Sequence, residues 1–184
     1  MMIEAVNNMR KDFIALIDNE INLAKEGKEA KMILKMNSLE DRKMIKKLYE
    51  ASNAGVNINI IIRGICCLVP GIKGLSENIK VISILDRFLE HSRVYIFNND
   101  GDEKIYAASA DWMKRNLSRR IEVAFPIYDE DIRKEIKDII QLQLSDNNKA
   151  RIIDKKNSNS YQKTKARKKI RSQTASYNFF KRKK

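Results

Sequence analysis

The densest polar cluster in the chain is Ser109-Ala-Asp111-Trp112-Met113-Lys114-Arg115-Asn116-Leu117-Ser118-Arg119-Arg120. A serine, an aspartate, an asparagine and four cations in so short a stretch suit an anion. Arg115 and Arg120 could neutralise phosphate oxygens as charge moves during transfer. Asp111, and with it Asn116, could orient an imidazole. The other reading is a basic surface turn anchored by Trp112. His91, the only histidine, stands in Glu90-His91-Ser92-Arg93. An imidazole titrates near neutrality and serves phosphoryl chemistry as nucleophile or proton donor, although a lone histidine is often structural. Arg63 directly follows the apolar run Ile58 to Ile62. Ligands of α/β sheets bind beyond the carboxyl ends of strands, and a guanidinium there grips a phosphate with two parallel bonds.

Other stretches say less. The loop Val69-Pro-Gly71-Ile-Lys73-Gly74-Leu-Ser-Glu-Asn78 could form a backbone nest for an oxyanion. It lacks the Walker spacing, and no dinucleotide fingerprint is present. One histidine and two adjacent cysteines make no recognisable metal-ligand set. Cys66 and Cys67 read as buried, inert thiols in a reducing compartment, which points to a cytoplasmic protein.

These residues need a scaffold, and the apolar spacing supplies one. Ile3, Val6, Met9, Phe13, Leu16/Ile17, Ile21 and Ala24 share a stripe at helical spacing, predicting a helix over the first 26 residues with Gly27 as its stop. Lys31–Met36 reads as a strand. Ser38 and Asp41 resemble a capping box opening a helix to about Ser52. Asn57–Ile62 is a β-branched run suited to a strand buried on both faces. Further strands are predicted at Lys80–Leu85, Arg93–Phe97, Lys104–Ala108 and Ile121–Ile127, with a turn at Asn98–Gly101. Asp129–Leu144 is an amphipathic helix carrying Ile132, Ile136, Ile139/Ile140 and Leu144 on one face. The pattern is α/β with a mixed sheet flanked by helices.

The chain has 184 residues and a net charge of +13. That charge is a property of the tail. Residues 155–184 hold twelve Lys or Arg and no acid, which leaves residues 1–154 at +1. We therefore divide the chain into a folded domain, 1–154, and a basic extension, 155–184. The extension attracts polyanions or an anionic membrane surface, and Tyr161, Tyr177, Phe179 and Phe180 within it suit base stacking. The alternative is a partly helical extension, Lys165 to Phe180, packed on the body. No uncharged stretch exceeds Ala51–Ile62, well short of the roughly 20 residues that span a bilayer. No secretory signal is visible.

Five strings carry a resemblance. Lys35-Met-Asn37-Ser-Leu39-Glu-Asp, Ile62-Arg63-Gly-Ile-Cys66-Cys67-Leu, Gly71-x-x-Gly74-Leu-Ser-Glu-Asn78-Ile, Arg87-Phe-Leu-Glu-His91-Ser-Arg93 and Ser109-Ala-Asp111-Trp-Met-x-Arg115-Asn116 resemble the C-terminal part of class-1 bacterial polyphosphate kinase. The likeness covers Ile21 to Asp154, and Arg167 to Phe179 is similar to the family's basic extension. It implies a phospholipase-D-like domain. It also implies reversible transfer of the γ-phosphoryl of ATP, with Mg²⁺, to inorganic polyphosphate through a phosphohistidine in a preceding domain.

On that resemblance His91 is the opposing acid/base, and Arg63 binds ATP phosphates. Arg93, Arg115 and Arg120 line the same site. The Mg²⁺ ligands lie outside this chain, and the partners are ATP/ADP, polyphosphate and the N-terminal domains of the same polypeptide in a homo-oligomer. Arg93 stands where the phospholipase-D signature has lysine. The chain then reads as an excised domain, inactive alone. Two readings compete with it: a nucleic-acid-binding module acting through the tail, and a homodimeric phosphodiesterase.

Overall fold

The computed structural model describes residues 3–4, 8–163 and 168–183. Among these residues eight strands form one mixed sheet. They are β1 (Ile3–Glu4), β2 (Lys31–Met36), β3 (Asn57–Ile62), β4 (Ile79–Ile84), β5 (Val94–Phe97), β6 (Lys104–Ala108), β7 (Val123–Pro126) and β8 (Ala150–Ile153), in the order β1-β7-β6-β5-β2-β3-β4-β8. The centre, β2-β3-β4, is parallel, and every other pairing is antiparallel. Five helices accompany it: α1 (Met9–Lys25), α2 (Arg42–Asn53), α3 (Lys114–Arg119), α4 (Glu130–Leu144) and α5 (Ser172–Lys181).

Strand alternation splits the core into two layers. Ile58, Ile60 and Ile62 of β3 join Met32, Leu34, Tyr95 and Phe97 beneath α1 and α2. Ile61, Ile82, Ile84, Val94 and Ile96 point the other way, toward Ile140 of α4. β3, with Ile60 and Ile62 buried on one face and Ile61 on the other, is the doubly buried strand that the β-branched run predicts.

Several boundaries differ from those the sequence predicts. Ile3 and Glu4 pair with Ala124 and Val123, so α1 begins only at Met9. The backbone groups along the edge of β7 give this short segment partners that a helix would leave unused. Val6 lies outside the described residues. α2 is capped by Asp41 rather than Ser38: its carboxylate accepts the Lys43 and Met44 N–H groups, each at 3.1 Å. Asp41 takes that place because its own N–H is tied to the carbonyl of Trp112 at 2.9 Å. The β5–β6 hairpin turns through a short 3₁₀ segment in which Asn99, Asp100 and Gly101 all have positive φ, which these residue types tolerate. The strand predicted at Ile121–Ile127 narrows to Val123–Pro126.

The end of the described chain returns to the body. Asp146 Oδ2 accepts the Ser172 N–H at 2.7 Å, and α5 packs on α4. Residues 164–167, which include Lys165 at the start of the segment expected to be helical, lie outside the described residues.

Candidate active site

β2, β3 and β4 run parallel, so their carboxyl ends share one edge of the sheet. The antiparallel partners β5 and β6 bring the start of the first and the end of the second to that edge. The segments leaving it carry Asn37, Arg63, residues 85–93 and Ser109–Trp112. They are laced by main-chain bonds. Leu39 N–H donates to Ile65 O at 2.8 Å, Cys67 N–H to Leu39 O at 2.9 Å, and Glu40 N–H to Trp112 O at 2.9 Å. Gly64 permits another such approach, its N–H donating to Asn37 O at 2.8 Å, because a Cβ there would lie 2.9 Å from that oxygen.

A continuous hydrogen-bonded chain crosses this edge. Arg93 Nη1 lies 3.2 Å from His91 Nδ1 and donates to the His91 carbonyl at 3.0 Å. The same guanidinium grips Asp111 with two bonds, Nε to Oδ1 at 3.2 Å and Nη2 to Oδ2 at 3.3 Å. Asp111 Oδ1 also accepts from the Asn37 main chain at 2.8 Å and its amide at 3.1 Å. Asn37 Oδ1 in turn takes Nε of Arg63 at 2.6 Å. Asp111 is buried, Arg63 and Arg93 are half-buried, and His91 is exposed. An imidazole and two guanidinium groups are thus set along one edge, with a buried carboxylate fixing Arg93. Asp111 reaches His91 through Arg93 and not directly.

A second polar group lies beneath. Lys35 alternates with Leu34 and Met36 on β2, so it points to the α4 face. There its ammonium donates to Glu90 Oε2 at 2.7 Å and Gln143 Oε1 at 2.9 Å. Burial pulls the Lys35 pKa below its ordinary value, against the opposing attraction of Glu90. Glu90, the residue before His91, and Asp111 are therefore each engaged by a cation.

The other candidates from the sequence lie apart from this chain. Asn116 is buried in α3, and its amide donates to Glu122 Oε1 at 2.6 Å, with the Ser109 hydroxyl on the other carboxylate oxygen. Arg115 and Arg120 are exposed on and just after α3, and neither is bonded to the His91–Arg63 chain. The cluster at 109–120 thus divides. Asp111 belongs to the edge, Trp112 is fully buried, and the cations that follow sit on a surface helix.

The loop at 69–78 closes on itself, because Ser76 Oγ accepts the Ile72 N–H and donates to Val69 O. The cysteines correct the expectation of two buried thiols. Cys67 is exposed because it follows the bridge residue Cys66 outward, while burial raises the half-buried Cys66 thiol to about 11. Among the described residues no group of three or more His, Cys, Asp or Glu is arranged to hold a metal ion, and no helix is long and apolar enough to cross a membrane. Asn37 and Glu90 are the site residues that the residue-by-residue reading missed. Asn37 follows the carboxyl end of a predicted strand just as Arg63 does, and that signal could have found it.

The family described as polyphosphate kinase C-terminal domain 2 matches residues 2–173. The chain belongs to this family. Polyphosphate kinase of Vibrio parahaemolyticus is 55% identical over 95% of the chain, and that of Escherichia coli K12 is 47% identical over the same share. The chain spans 25% of the length of each of these two polyphosphate kinases. The crystal structure of polyphosphate kinase from Porphyromonas gingivalis superposes with a TM-score of 0.95 at 47% identity, covering 99% of this chain and 28% of that one. A phospholipase D family member from Salmonella typhimurium gives a TM-score of 0.61 at 16% identity, covering 84% of this chain and 97% of that one. The polyphosphate kinase C-terminal domain thus has the phospholipase-D-like fold, with a mixed sheet flanked by helices.

Proposed function

We propose that this chain supplies one half of the phosphoryl-transfer site of a polyphosphate kinase. The γ-phosphoryl of ATP passes reversibly to inorganic polyphosphate through a phosphohistidine on a domain outside this chain, and His91 is the acid/base that faces it. The observation that carries this reading is the chain His91–Arg93–Asp111–Asn37–Arg63 along the sheet edge. Its exposed imidazole and paired guanidinium groups suit a negatively charged partner that arrives from outside.

The roles divide by geometry. Arg63 and Arg93 bind phosphate oxygens. Asp111 holds the Arg93 fork in plane, and Asn37 sets Arg63 by its side-chain amide oxygen Oδ1. His91, exposed beside that fork, gives a proton to the leaving phosphate oxygen or takes it back in the reverse direction. Arg115 and Arg120, free on the surface, meet the outer phosphates of the chain. Mg²⁺ would come with the substrate as MgATP and supply charge neutralisation there, since Glu90 and Asp111 are already engaged by Lys35 and Arg93.

The test is turnover. With MgATP this chain alone yields no polyphosphate. A longer polypeptide that also carries the phosphohistidine domain synthesises it, and loses synthesis on His91→Ala. Robust synthesis by the isolated chain, or by the longer His91→Ala variant, defeats the half-site reading.

A further inference from the structure

We propose that helix α5, contributed by the basic extension, is a clamp that positions the His91 segment, with Gln173 and Arg171 as its positioning residues. The inference deepens the reading of His91 given above and rests on it.

The segment 85–93 has no regular structure, and burial does little to hold it. Leu85, Phe88 and Leu89 are 66%, 67% and 71% exposed. Its main-chain groups instead find side chains. The Gln173 amide holds Phe88 on both sides: Oε1 accepts the Phe88 N–H at 2.9 Å and Nε2 donates to the Phe88 carbonyl at 2.8 Å. The remaining amide hydrogen reaches Glu90 Oε1 at 3.0 Å. Both donors of this amide are therefore committed to residues just before His91. Glu90 is completed from two further elements, by Lys35 of β2 at 2.7 Å and Gln143 of α4 at 3.0 Å.

Arg171 secures the start of the same segment. Its guanidinium grips Asp86 with two bonds of 2.6 and 2.7 Å. Between these points the Ser172 N–H is fixed on Asp146. The first turn of α5 is thus tied down, and it ties residues 86, 88 and 90 in turn. His91 follows at once, its carbonyl and Nδ1 against Arg93.

A purely architectural role fits the packing poorly. Neither apolar cluster of the sheet includes a residue of α5. Its polar start bonds to the segment that carries the imidazole, across more than 80 positions of sequence. Removing those bonds leaves the core intact and frees the direction of the ring, and misplacement on the ångström scale is costly for a phosphate site.

The solitary histidine makes the test direct, since every histidine ring signal in a ¹³C,¹⁵N-labelled chain belongs to His91. The unsubstituted chain is titrated with sodium tripolyphosphate, and its His91 signals are expected to move saturably. Gln173→Ala and Arg171→Ala should shift or broaden those signals in the free chain. Each should weaken tripolyphosphate binding about tenfold, with the thermal midpoint of the body nearly unchanged. Arg171→Lys, which keeps the charge and loses the fork, should recover part of the affinity; simple loss of structure would give no such recovery.

The clamp is overturned if both alanine variants keep the unsubstituted His91 spectrum and affinity. It is also overturned if both lose the sheet core cooperatively with α5. Failure of the unsubstituted chain to respond to tripolyphosphate would instead sink the phosphate-site reading. The clamp is then judged on the free-chain His91 signals of the same variants, where unchanged spectra refute it and shifted spectra support it.

Discussion

The two faces of the sheet are built from different interactions. Under α1 and α2 the core is apolar, with an aromatic cluster at its centre. Trp112 stacks on Tyr95 with ring centroids 5.1 Å apart, Phe13 sits 5.4 Å from Trp112, and Tyr95 places its only polar atom on the Ala110 carbonyl. Under α4 the isoleucines share their layer with Lys35, Glu90 and Gln143, a bonded polar group that reaches up to the residue before His91. Apolar contact is strong and non-directional, whereas hydrogen bonds in a low dielectric fix direction. The first face supplies stability and the second supplies aim.

That division is broken or sharpened most severely at Trp112. Trp112→Ala should lose about 3–5 kcal/mol of unfolding free energy in urea titrations, because a large fully buried ring leaves a cavity against Tyr95 and Phe13. Lys35→Met should cost less, under about 2 kcal/mol. Methionine fills a similar volume, and Glu90 keeps the Gln143 and Gln173 amides. Its larger effect should fall on tripolyphosphate binding at the His91 edge. If Lys35→Met destabilises as much as Trp112→Ala, the two faces are not different in kind.

The same lysine gives a signed pH dependence. Its folded pKa lies below the unfolded value of about 10.4, so between the two the unfolded chain holds more protons. Stability contributed by Lys35 therefore rises with pH across that alkaline window, and the slope disappears in Lys35→Met.

Gly64→Ala should fall between Trp112→Ala and Lys35→Met in size. The added methyl would meet the Asn37 carbonyl oxygen at 2.9 Å and Ser38 Oγ at 3.1 Å, and a main-chain oxygen already bonded to the Gly64 N–H cannot retreat freely. About 1–3 kcal/mol of overpacking is expected. A loss of phosphate affinity should accompany it, since Asn37 is what sets Arg63. Undiminished affinity would show that the Asn37–Arg63 bond does not matter to the edge.

Most of the first face was legible. Helical spacing exposed Met9, Phe13 and Ile17, and the β-branched run at Asn57–Ile62 predicted a strand buried on both faces, which β3 is. Arg63, His91, Arg93 and Asp111 were legible as chemistry, and the sheet edge joins them. Their wiring was not, because neither the fork of Arg93 on Asp111 nor the grip of Asn37 on both neighbours has a local signature. Lys35 carries no local mark of burial, which only tertiary packing reveals. The four-residue strand β8 and the helix α5 are set by partners distant in sequence, Val81–Ile84 for one and Asp146, Asp86 and Phe88 for the other. Periodicity within a segment carries no trace of such partners.

The smallest effect expected is an acid-driven release of α5 alone. Arg171 lowers the pKa of Asp86. Burial alone would raise Asp146, but the N–H groups of Ser172, Lys149 and Asn148 outweigh it and leave that carboxyl lowered as well. Both folded values lie below the ordinary aspartate value of about 3.9, so the undocked state binds more protons in that window. Docking is complete above it and is lost as pH falls through the folded values. The Phe88 and Ser172 amide signals should therefore change together in acid while the Ile60 and Tyr95 amides hold, and Asp146→Asn should flatten the Ser172 response. A single transition shared by all four amides would mean that α5 and the aromatic face form one cooperative unit, and the contrast between aim and stability would have to be given up.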